Sequence, residues 1–335
     1  MHRLGPVDVA DYHVAGQPFR IVTGGAPRLE GGDSLERLDW AKQHLDEVRC
    51  LLAYEPRGHA ATTGCFMSAP GGSGADIDAV FLDQGGFNLA AGQGVIALAT
   101  WAVESGTVPT RGDQVRIVID APSGRHEAEV SHDAGRVGSV SYTAGPMYVA
   151  GRFIPLQLSG DVVSIDMAYV GVYLAVLDTA EVGVTITPGN AARFAAMGRE
   201  IAMVLRDNKA VVHPTDHRLS GLGGTLFYEQ LDPAGSERRE RSIVVWADGR
   251  VGRYPSGVGV SARLALLDTA AELARGARVV SEGPSGTTLS GRVVGDGDVG
   301  GIHGVLTEVT GTAHRTGEAR VWLDELDPVG LGIQL

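Results

Sequence analysis

Apolar and polar positions in this chain form short alternating runs that are twice interrupted by a longer helical pattern. Residues 114–150 alternate in the manner of an antiparallel sheet, and similar short strands return over 161–188. Longer apolar runs near 93–104 and over 258–274 predict two buried helices, each with strands before and after it. This repeated order predicts an α+β fold with two like halves, each a curved antiparallel sheet around a central helix.

Three weaker patterns complete the expected elements. Ser34 can cap a helix that runs to about Arg49, residues 50–54 have the composition of a buried strand, and a further helix is expected over 189–205. We place the first half at residues 1–158 plus 300–335 and the second at residues 159–299.

The two central helical runs begin with the same motif. Residues 91–99 read AGQGVIALA and residues 256–264 read SGVGVSARL, so a small residue and two glycines open each run. The first N–H groups of a helix have no intrahelical partner, and glycine allows a ligand to approach them closely. Two such helix ends facing each other would hold one small carboxylate or phosphate. The alternative is that each motif is only a tight turn from strand to helix.

Composition narrows the classes of partner. The chain has 335 residues and a formal net charge of −12, and its lysines and arginines form no cluster, so we expect neither nucleic acid nor an acidic membrane surface as partner. No apolar stretch is long enough to span a membrane and the start lacks a signal pattern, so a cytoplasmic location is expected. Cys50 and Cys65 are the only cysteines, and buried free thiols are favoured over a disulfide.

Four segments of the chain resemble signatures of the proline racemase family, which includes hydroxyproline epimerases and trans-3-hydroxyproline dehydratases. The resemblance covers nearly the full length and implies the fold of diaminopimelate epimerase, with the site in a cleft between two pseudosymmetric halves. It also implies a homodimer and no cofactor. The segments are Asp11–Gly25 (DYHVAGQPFRIVTGG), Glu55–Ala60 (EPRGHA), Asp166–Tyr173 (DMAYVGVY) and His213–Gly221 (HPTDHRLSG).

The resemblance also implies that the family's catalytic residues are replaced in this chain. Racemases of the family move the α-proton with two cysteines, one on each face of the substrate. The matching positions hold Ala91 and Ser256, and neither Cys50 nor Cys65 falls on them. Further replacements are Gly252 for the Asp that grips the substrate amine, Gln93 for a His and Val258 for a Thr. Because alanine cannot hold a proton, racemisation by two bases is not expected.

The remaining candidates for chemistry are few. Ser256 at a helix start, Tyr254 beside it and Asp83 near the first motif are the candidate acid, base or nucleophile residues. Each has a structural alternative: a helix cap for Ser256, a packed ring for Tyr254 and a surface carboxylate for Asp83. No metal site is expected. The candidate ligand-binding residues are Gly92, Gln93, Gly94, Gly252, Gly257, Val258, Gly259 and His13.

Two main hypotheses follow for the function. The first is a cofactor-independent isomerase, lyase or cyclase acting on a small carboxylate derived from an amino acid or heterocycle. The second is a non-catalytic relative that binds a small molecule or a partner at the same place. A hydroxyproline dehydratase or epimerase with a replaced base is a further alternative. A titratable group within reach of the ligand favours an enzyme.

Overall fold

The computed structural model describes residues 5–69, 72–89, 92–133, 135–206, 208–235, 237–324 and 326–334. The chain divides into two compact units, Met1–Tyr142 with Thr312–Leu335, and Thr143–Gly311. The boundaries expected from the sequence lie at 158/159 and 299/300. The observed boundary after Tyr142 falls inside the strand Arg136–Gln157, and the one after Gly311 falls where the strand Ile302–Gly311 ends.

The first unit is a mixed sheet with helices on both of its faces. Its strands follow the order β8–β7–β6–β4–β3–β2–β1–β16, with β5 added to β4. The bounds are β1 Val7–Val14, β2 Gln17–Gly24, β3 Thr63–Ser68, β4 Ile77–Asp83, β5 Gly86–Asn88, β6 Gln114–Ala121, β7 Gly124–Asp133, β8 Arg136–Gln157 (shared with the second unit) and β16 Ala313–Val321, with helices α1 Ser34–His44, α2 Asp46–Ala53 and α3 Gly92–Glu104.

Helix α3 is the central helix of the first unit. Its residues from Gly94 to Thr100 are all buried, and it contacts strands β1, β2, β3, β7 and β16. Helices α1 and α2 cover the opposite face and share a core with apolar side chains of the sheet, among them Val80 and Leu82 of β4. The hydrophobic pattern therefore predicted the position of α3 to within one residue.

The second unit repeats this order of elements. Its strands follow the order β15–β14–β13–β12–β11–β10–β9–β8. Because β15 also pairs with β8, these eight strands form a closed ring. The bounds are β9 Val162–Tyr169, β10 Tyr173–Asp178, β11 Leu222–Ala234, β12 Glu237–Trp246, β13 Val279–Glu282, β14 Thr288–Val299 and β15 Ile302–Gly311, with helices α4 Ala191–Leu205 and α5 Gly257–Thr269.

Alternation along one strand shows how the second unit packs a helix on each side of its sheet. A Cβ on Gly259 of α5 would lie 3.0 Å from Leu226 Cδ1, so Leu226 points to the central helix. Its neighbour Phe227 points to the other face, where its ring centroid lies 5.0 Å from that of Phe194 on α4. In both units the parallel pairs flank a helical crossover, β2 with β3, β4 with β6, β10 with β11, and β12 with β13. The predicted α+β architecture with two like halves is confirmed.

Three local predictions were wrong. Residues 50–53 are the end of helix α2 and not a strand, because the apolar run there is one face of a helix whose Asp46 and Glu47 occupy the first turn. The cap of α1 is Asp33, whose carboxylate accepts a hydrogen bond from Glu36 N at 2.7 Å, and not Ser34. Helix α5 ends at Thr269 rather than near residue 274, with Ala271 in the left-handed conformation at φ +55°.

Candidate functional site

The start of helix α5 is the best-defined part of the candidate site. Ser256 is its N-cap: its backbone is extended, its carbonyl accepts from Val260 N at 2.9 Å and its Oγ accepts from Gly259 N at 3.4 Å. No described residue accepts a hydrogen bond from Val258 N–H. The first turn of α5 therefore offers a backbone donor at the positive end of a helix dipole, which is the chemistry that a carboxylate requires.

The segment before α5 holds Ser256 in place. Gly252 N donates to Val244 O at 2.7 Å, and Ser285 N donates to Arg253 O at 3.2 Å. A Cβ on Gly283 would lie 2.4 Å from Pro255 N, so the turn that follows β13 packs directly on this segment. Tyr254 is half-buried in the same segment. A catalytic role for Ser256 or Tyr254 stays a prediction.

The second glycine of each motif packs against the sheet of its own unit. A Cβ on Gly94 would lie 2.6 Å from Phe19 Cε2 and 2.9 Å from Phe81 Cε1, and Gly259 is close to Leu226 and Val244. These two glycines therefore allow close approach between helix and sheet. Gly92, Gln93 and Gly257 lie in the first turns of their helices, and their contact with a ligand remains a prediction. Ala91 lies outside the described residues.

Asp83 is a buried turn residue and not the surface carboxylate of the structural alternative. Its side chain is 6% exposed, and Oδ1 accepts from Gly85 N at 2.7 Å while Oδ2 accepts from Asn88 Nδ2 at 2.8 Å. Arg49 donates to the carbonyl oxygens of Asp83 at 3.0 Å and Gln84 at 2.7 Å. These bonds give Asp83 a structural role between β4 and β5. An acid or base role for it stays a prediction.

Sequence reasoning missed Arg49 as the residue that fixes this turn. It was placed at the end of a predicted helix, whereas its guanidinium is buried against the turn that carries Asp83. The available signal was an arginine in an otherwise apolar helix face, next to Leu51 and Leu52.

His13 accepts a hydrogen bond from Gly16 N at Nδ1, at 3.2 Å, in the turn between β1 and β2. Burial and the neighbouring His314 lower the pKa of His13, so its neutral form is favoured. The ring therefore has a role in the turn, and contact with a ligand stays a prediction.

Neither cysteine is at the start of a helix. Cys65 is in the middle of β3 and fully buried, and burial raises the pKa of its thiol. Cys50 is in the second half of α2, and burial raises its pKa as well. Both are free thiols, as predicted, and both are protonated near neutral pH.

The segments that resemble family signatures mostly stabilise the fold. The Arg20 guanidinium donates to both Asp11 carboxylate oxygens at 2.8 Å and to the carbonyl oxygens of Leu52 and Arg57, also at 2.8 Å. In the second unit Tyr148 and Tyr173 share a hydrogen bond of 2.6 Å. The described residues contain no group of three or more metal-binding side chains, and none of their helices is long and apolar enough to cross a membrane.

Comparison with known proteins decides the family. A sequence profile described as proline racemase matches residues 9–334. The chain belongs to the proline racemase family. A trans-3-hydroxy-L-proline dehydratase of Bacillus cereus is 32% identical over 325 residues, 97% of each chain, and a 3-hydroxyproline 2-epimerase of Burkholderia multivorans is 34% identical over 327 residues, again 97% of each.

Solved structures agree with this family assignment. The crystal structure of a hydroxyproline epimerase from Agrobacterium vitis with bound trans-4-OH-L-proline has a TM-score of 0.91 and 27% identity, covering 98% of this chain and 95% of that one. A Bacillus anthracis protein of the PhzF family, at a TM-score of 0.60 and 13% identity, shares the fold alone. The predicted family and epimerase-like fold are both confirmed.

Proposed function

We propose that this member of the proline racemase family is a cofactor-independent isomerase, lyase or cyclase that acts on a small carboxylate, and that it is not a two-cysteine racemase. The observation that carries the proposal is Ser256, a hydroxyl residue that caps α5 where the family's motif has a thiol. Near neutral pH a serine hydroxyl is a far weaker base than a thiolate. Ala91, at the other matched position, offers no proton-carrying group at all.

The first turn of α5 supports the carboxylate part of the proposal. The Val258 N–H, which has no partner among the described residues, is a donor for a ligand oxygen at the positive end of the helix dipole. The A. vitis relative, whose structure contains trans-4-OH-L-proline, is a protein that binds such a carboxylate. The ligand of this chain is therefore proposed to be a carboxylate of similar size.

Gly252 determines whether the ligand can carry a charged amine. The family's motif has a carboxylate here that grips the substrate ammonium, and Gly252 has no side chain to replace it. Burying an ammonium without a partner costs several kcal/mol. We therefore expect the ligand to lack a charged amine where proline has one.

Calorimetric titration with two ring acids of the same shape tests the ligand class. L-proline carries the charged amine and tetrahydrofuran-2-carboxylate replaces it with a neutral ether oxygen. The proposal expects the ether to bind at least tenfold more tightly than proline. Sub-millimolar binding of proline with weaker binding of the ether would contradict it. The Gly252→Asp variant is the matched control and should reverse the preference, because it restores a carboxylate that can pair with the ammonium. A Cβ at this position would lie 3.2 Å from Val244 O, so the backbone there has to shift by a few tenths of an ångström.

Proton exchange tests the reaction. We expect ¹H NMR in D₂O to show no α-proton exchange with L-proline or trans-4-hydroxyproline. The Ala91→Cys/Ser256→Cys/Gly252→Asp variant, which restores both cysteines and the Asp among the five replaced family residues, should exchange the α-proton of proline. Exchange by the unaltered chain at a rate matching that variant would overturn the proposal.

Dehydration of trans-3-hydroxyproline with a replaced base is the second candidate, favoured by the similarity to the B. cereus dehydratase. The same NMR assay with this substrate would reveal the dehydration product. If neither exchange nor any product occurs with a panel of small carboxylates that bind, the non-catalytic alternative replaces both enzyme proposals.

A further inference from the structure

The outer surface of helix α4, which covers the sheet face opposite α5, carries a groove that the proposed function does not use. Its volume is about 800 Å³. The apolar residues that line it are Ala196, Ala202, Met203, Leu222 and Ala247. Because three of the five are alanines, the surface here is hollow. Ligand pockets in proteins are typically of this size and have a mostly apolar lining. We name this feature the α4 groove.

Two arginines flank the apolar part of the α4 groove. Arg199, Met203 and Arg206 follow one another at intervals of four and three residues, and the helical backbone continues to Arg206, so the three side chains share one face of α4. At a rise of about 1.5 Å per residue, the two arginines are about 10 Å apart along the helix axis. Met203, between them, is 63% exposed, which is unusual for a methionine on a helix that covers a sheet.

Arg199 is held at its place by the turn that follows β12. A Cβ on Gly249 would lie 2.9 Å from Arg199 Cδ and 3.0 Å from Arg199 Nη1. Gly249 has φ +89° in this turn, a conformation that favours glycine. The lack of a side chain at Gly249 therefore allows the arginine to lie across the turn, whose residues Ala247 and Asp248 also line the groove.

The acidic residues of the lining do not neutralise the two arginines. Among the described residues neither arginine has an ion-pair or hydrogen-bond partner, and both are exposed. Asp248 is already paired, since it accepts from Arg250 Nε at 2.6 Å. Glu200 accepts from Ser159 Oγ at 2.7 Å, which leaves two unpaired cations and one carboxylate without a cation partner in the described lining. In a chain of net charge −12, this groove therefore favours an anionic ligand.

We propose that the α4 groove binds a small amphipathic oxyanion, that is, a free carboxylate or phosphate ester with an apolar body. The oxyanion accepts paired hydrogen bonds from the guanidinium of Arg199 or Arg206, because the arginine fork matches the two oxygens of such a group. The apolar body lies across Met203 and Leu222, and this contact removes exposed apolar surface from water. The proposal does not depend on the candidate site at the start of α5 or on catalysis.

Octanoate is the probe for the first test, and NMR of methionine methyl groups locates its binding. We expect the Met203 methyl resonance, assigned with the Met203→Leu variant, to shift in a saturable way as octanoate is added. 1-Octanol keeps the apolar body without the charge, and acetate keeps the charge without the body, so each should bind at least tenfold more weakly. Tetrahydrofuran-2-carboxylate, the probe of the candidate site, should leave this resonance unchanged.

Substitutions in the full-length chain test the two parts of the groove separately. Arg199→Gln/Arg206→Gln should raise the dissociation constant of octanoate at least tenfold, because it removes both cations. Arg193→Gln is the matched control, since Arg193 is exposed on the same helix but does not line the groove. Ala202→Leu keeps every charge and fills the hollow, so it should weaken octanoate binding at least fivefold. Leucine is nearly as good a helix former as alanine, so this variant should keep α4 intact.

Several results would overturn the proposal. Shifts of the Met203 resonance that do not saturate, or equal binding of octanoate and 1-octanol, would show that the groove does not recognise an oxyanion. Octanoate binding that is unchanged by Ala202→Leu or by the double arginine variant would place the ligand elsewhere. Binding of the chain to phosphatidylglycerol vesicles without saturable binding of octanoate would mean that this surface meets a membrane and not a free ligand.

Discussion

Helices α3 and α5 hold the same position in the two units, yet their surroundings have opposite electrostatic character. The buried residues of α3 are glycine, apolar residues and Thr100, whose hydroxyl donates to the Ile96 carbonyl at 2.8 Å. Helix α5 instead buries Arg263, which donates to both carboxylate oxygens of Glu240 on β12 at 2.8 Å and lies 3.5 Å from the centre of the Tyr228 ring. The two units therefore share a topology but pack different kinds of side chain around the central helix.

Buried titratable groups elsewhere in the two units are neutral in some places and paired in others. In the first unit burial lowers the pKa of His126 to about 4 and raises the pKa of Tyr142, so both are neutral near pH 7. In the second unit burial alone would raise the pKa of Glu240, but hydrogen bonds and charge from Arg263 and Arg238 bring it below its usual value. Each unit also buries an ion pair, Arg37 with Asp78 in the first and Arg263 with Glu240 in the second. The contrast therefore concerns the two central helices: α3 buries no charged residue, and α5 buries one that is paired.

Breaking the buried pair should have the largest effect on stability. Arg263→Met leaves Glu240 buried with only Arg238, and we expect the free energy of unfolding to fall by about 3 to 5 kcal/mol. Urea unfolding followed by circular dichroism measures the change. The double variant Arg263→Met/Glu240→Leu removes both charges and should recover most of the loss.

An exposed pair in the first unit provides the control. Arg320 and Asp8 form an ion pair with more than a third of each side chain exposed, so Arg320→Met should cost at most about 1 kcal/mol. If Arg263→Met and Arg320→Met lose equal stability, burial adds nothing to the contribution of the Arg263–Glu240 pair, and the prediction is contradicted.

Acid should weaken the surroundings of His126 in the first unit before it weakens the Arg263–Glu240 pair in the second. Histidine in an unfolded chain has a pKa of about 6.5, and the lowered value of about 4 for His126 means that the unfolded state binds more protons between these values. The stability from this residue is complete above pH 6.5 and is lost as the pH falls towards 4, by about 3 kcal/mol. The lowered pKa of Glu240 places its own loss below about pH 4.5.

Hydrogen–deuterium exchange at pH 7, 5.5 and 4.5 distinguishes the pH range in which His126 is protonated from the lower range in which Glu240 is protonated. Protection of β7 and α3 should fall first, and in the His126→Phe variant it should change little over this range. Equal loss of protection in β12 and α5 between pH 6.5 and 4.5 would contradict this order of loss.

The sequence predicted the features that depend on local pattern and missed those that depend on contacts across the sheet. The runs that open at Gly92 and Gly257 marked both central helices, because two glycines followed by helix formers are a local signal. Nothing near Arg263 in sequence indicated Glu240 as its partner, since the pair joins a helix and a strand 23 positions apart. The burial of Asp83 likewise depends on Arg49, which comes from another element.

Replacing the second glycine of each motif, Gly94 or Gly259, by alanine should show which central helix packs more tightly on its sheet. In Gly94→Ala the new Cβ would lie 2.6 to 2.9 Å from the Phe19 and Phe81 rings, which are held in the core, and we expect a loss of about 1 to 3 kcal/mol. In Gly259→Ala the nearest atom is Leu226 Cδ1 at 3.0 Å, the end of a flexible side chain. The higher helix propensity of alanine, about 1 kcal/mol, should offset that smaller strain. Thermal unfolding of both variants checks the order.

Ser256 has the smallest expected effect on stability and the most direct bearing on the candidate site. Loss of an N-cap hydroxyl costs about 1 kcal/mol, while glycine at the same position costs only a few tenths. If Ser256 is a cap alone, Ser256→Ala should lose stability, Ser256→Asp should keep it, and binding of a small carboxylate should change less than twofold in the alanine variant. If the hydroxyl contacts the ligand, Ser256→Gly should keep stability but weaken carboxylate binding at least fivefold. Unfolding and calorimetric binding, measured on the same three variants, therefore distinguish the two roles of Ser256. The hydrogen bond from Gly259 N to Ser256 Oγ contributes to stability, whereas contact of the hydroxyl with a ligand contributes to binding.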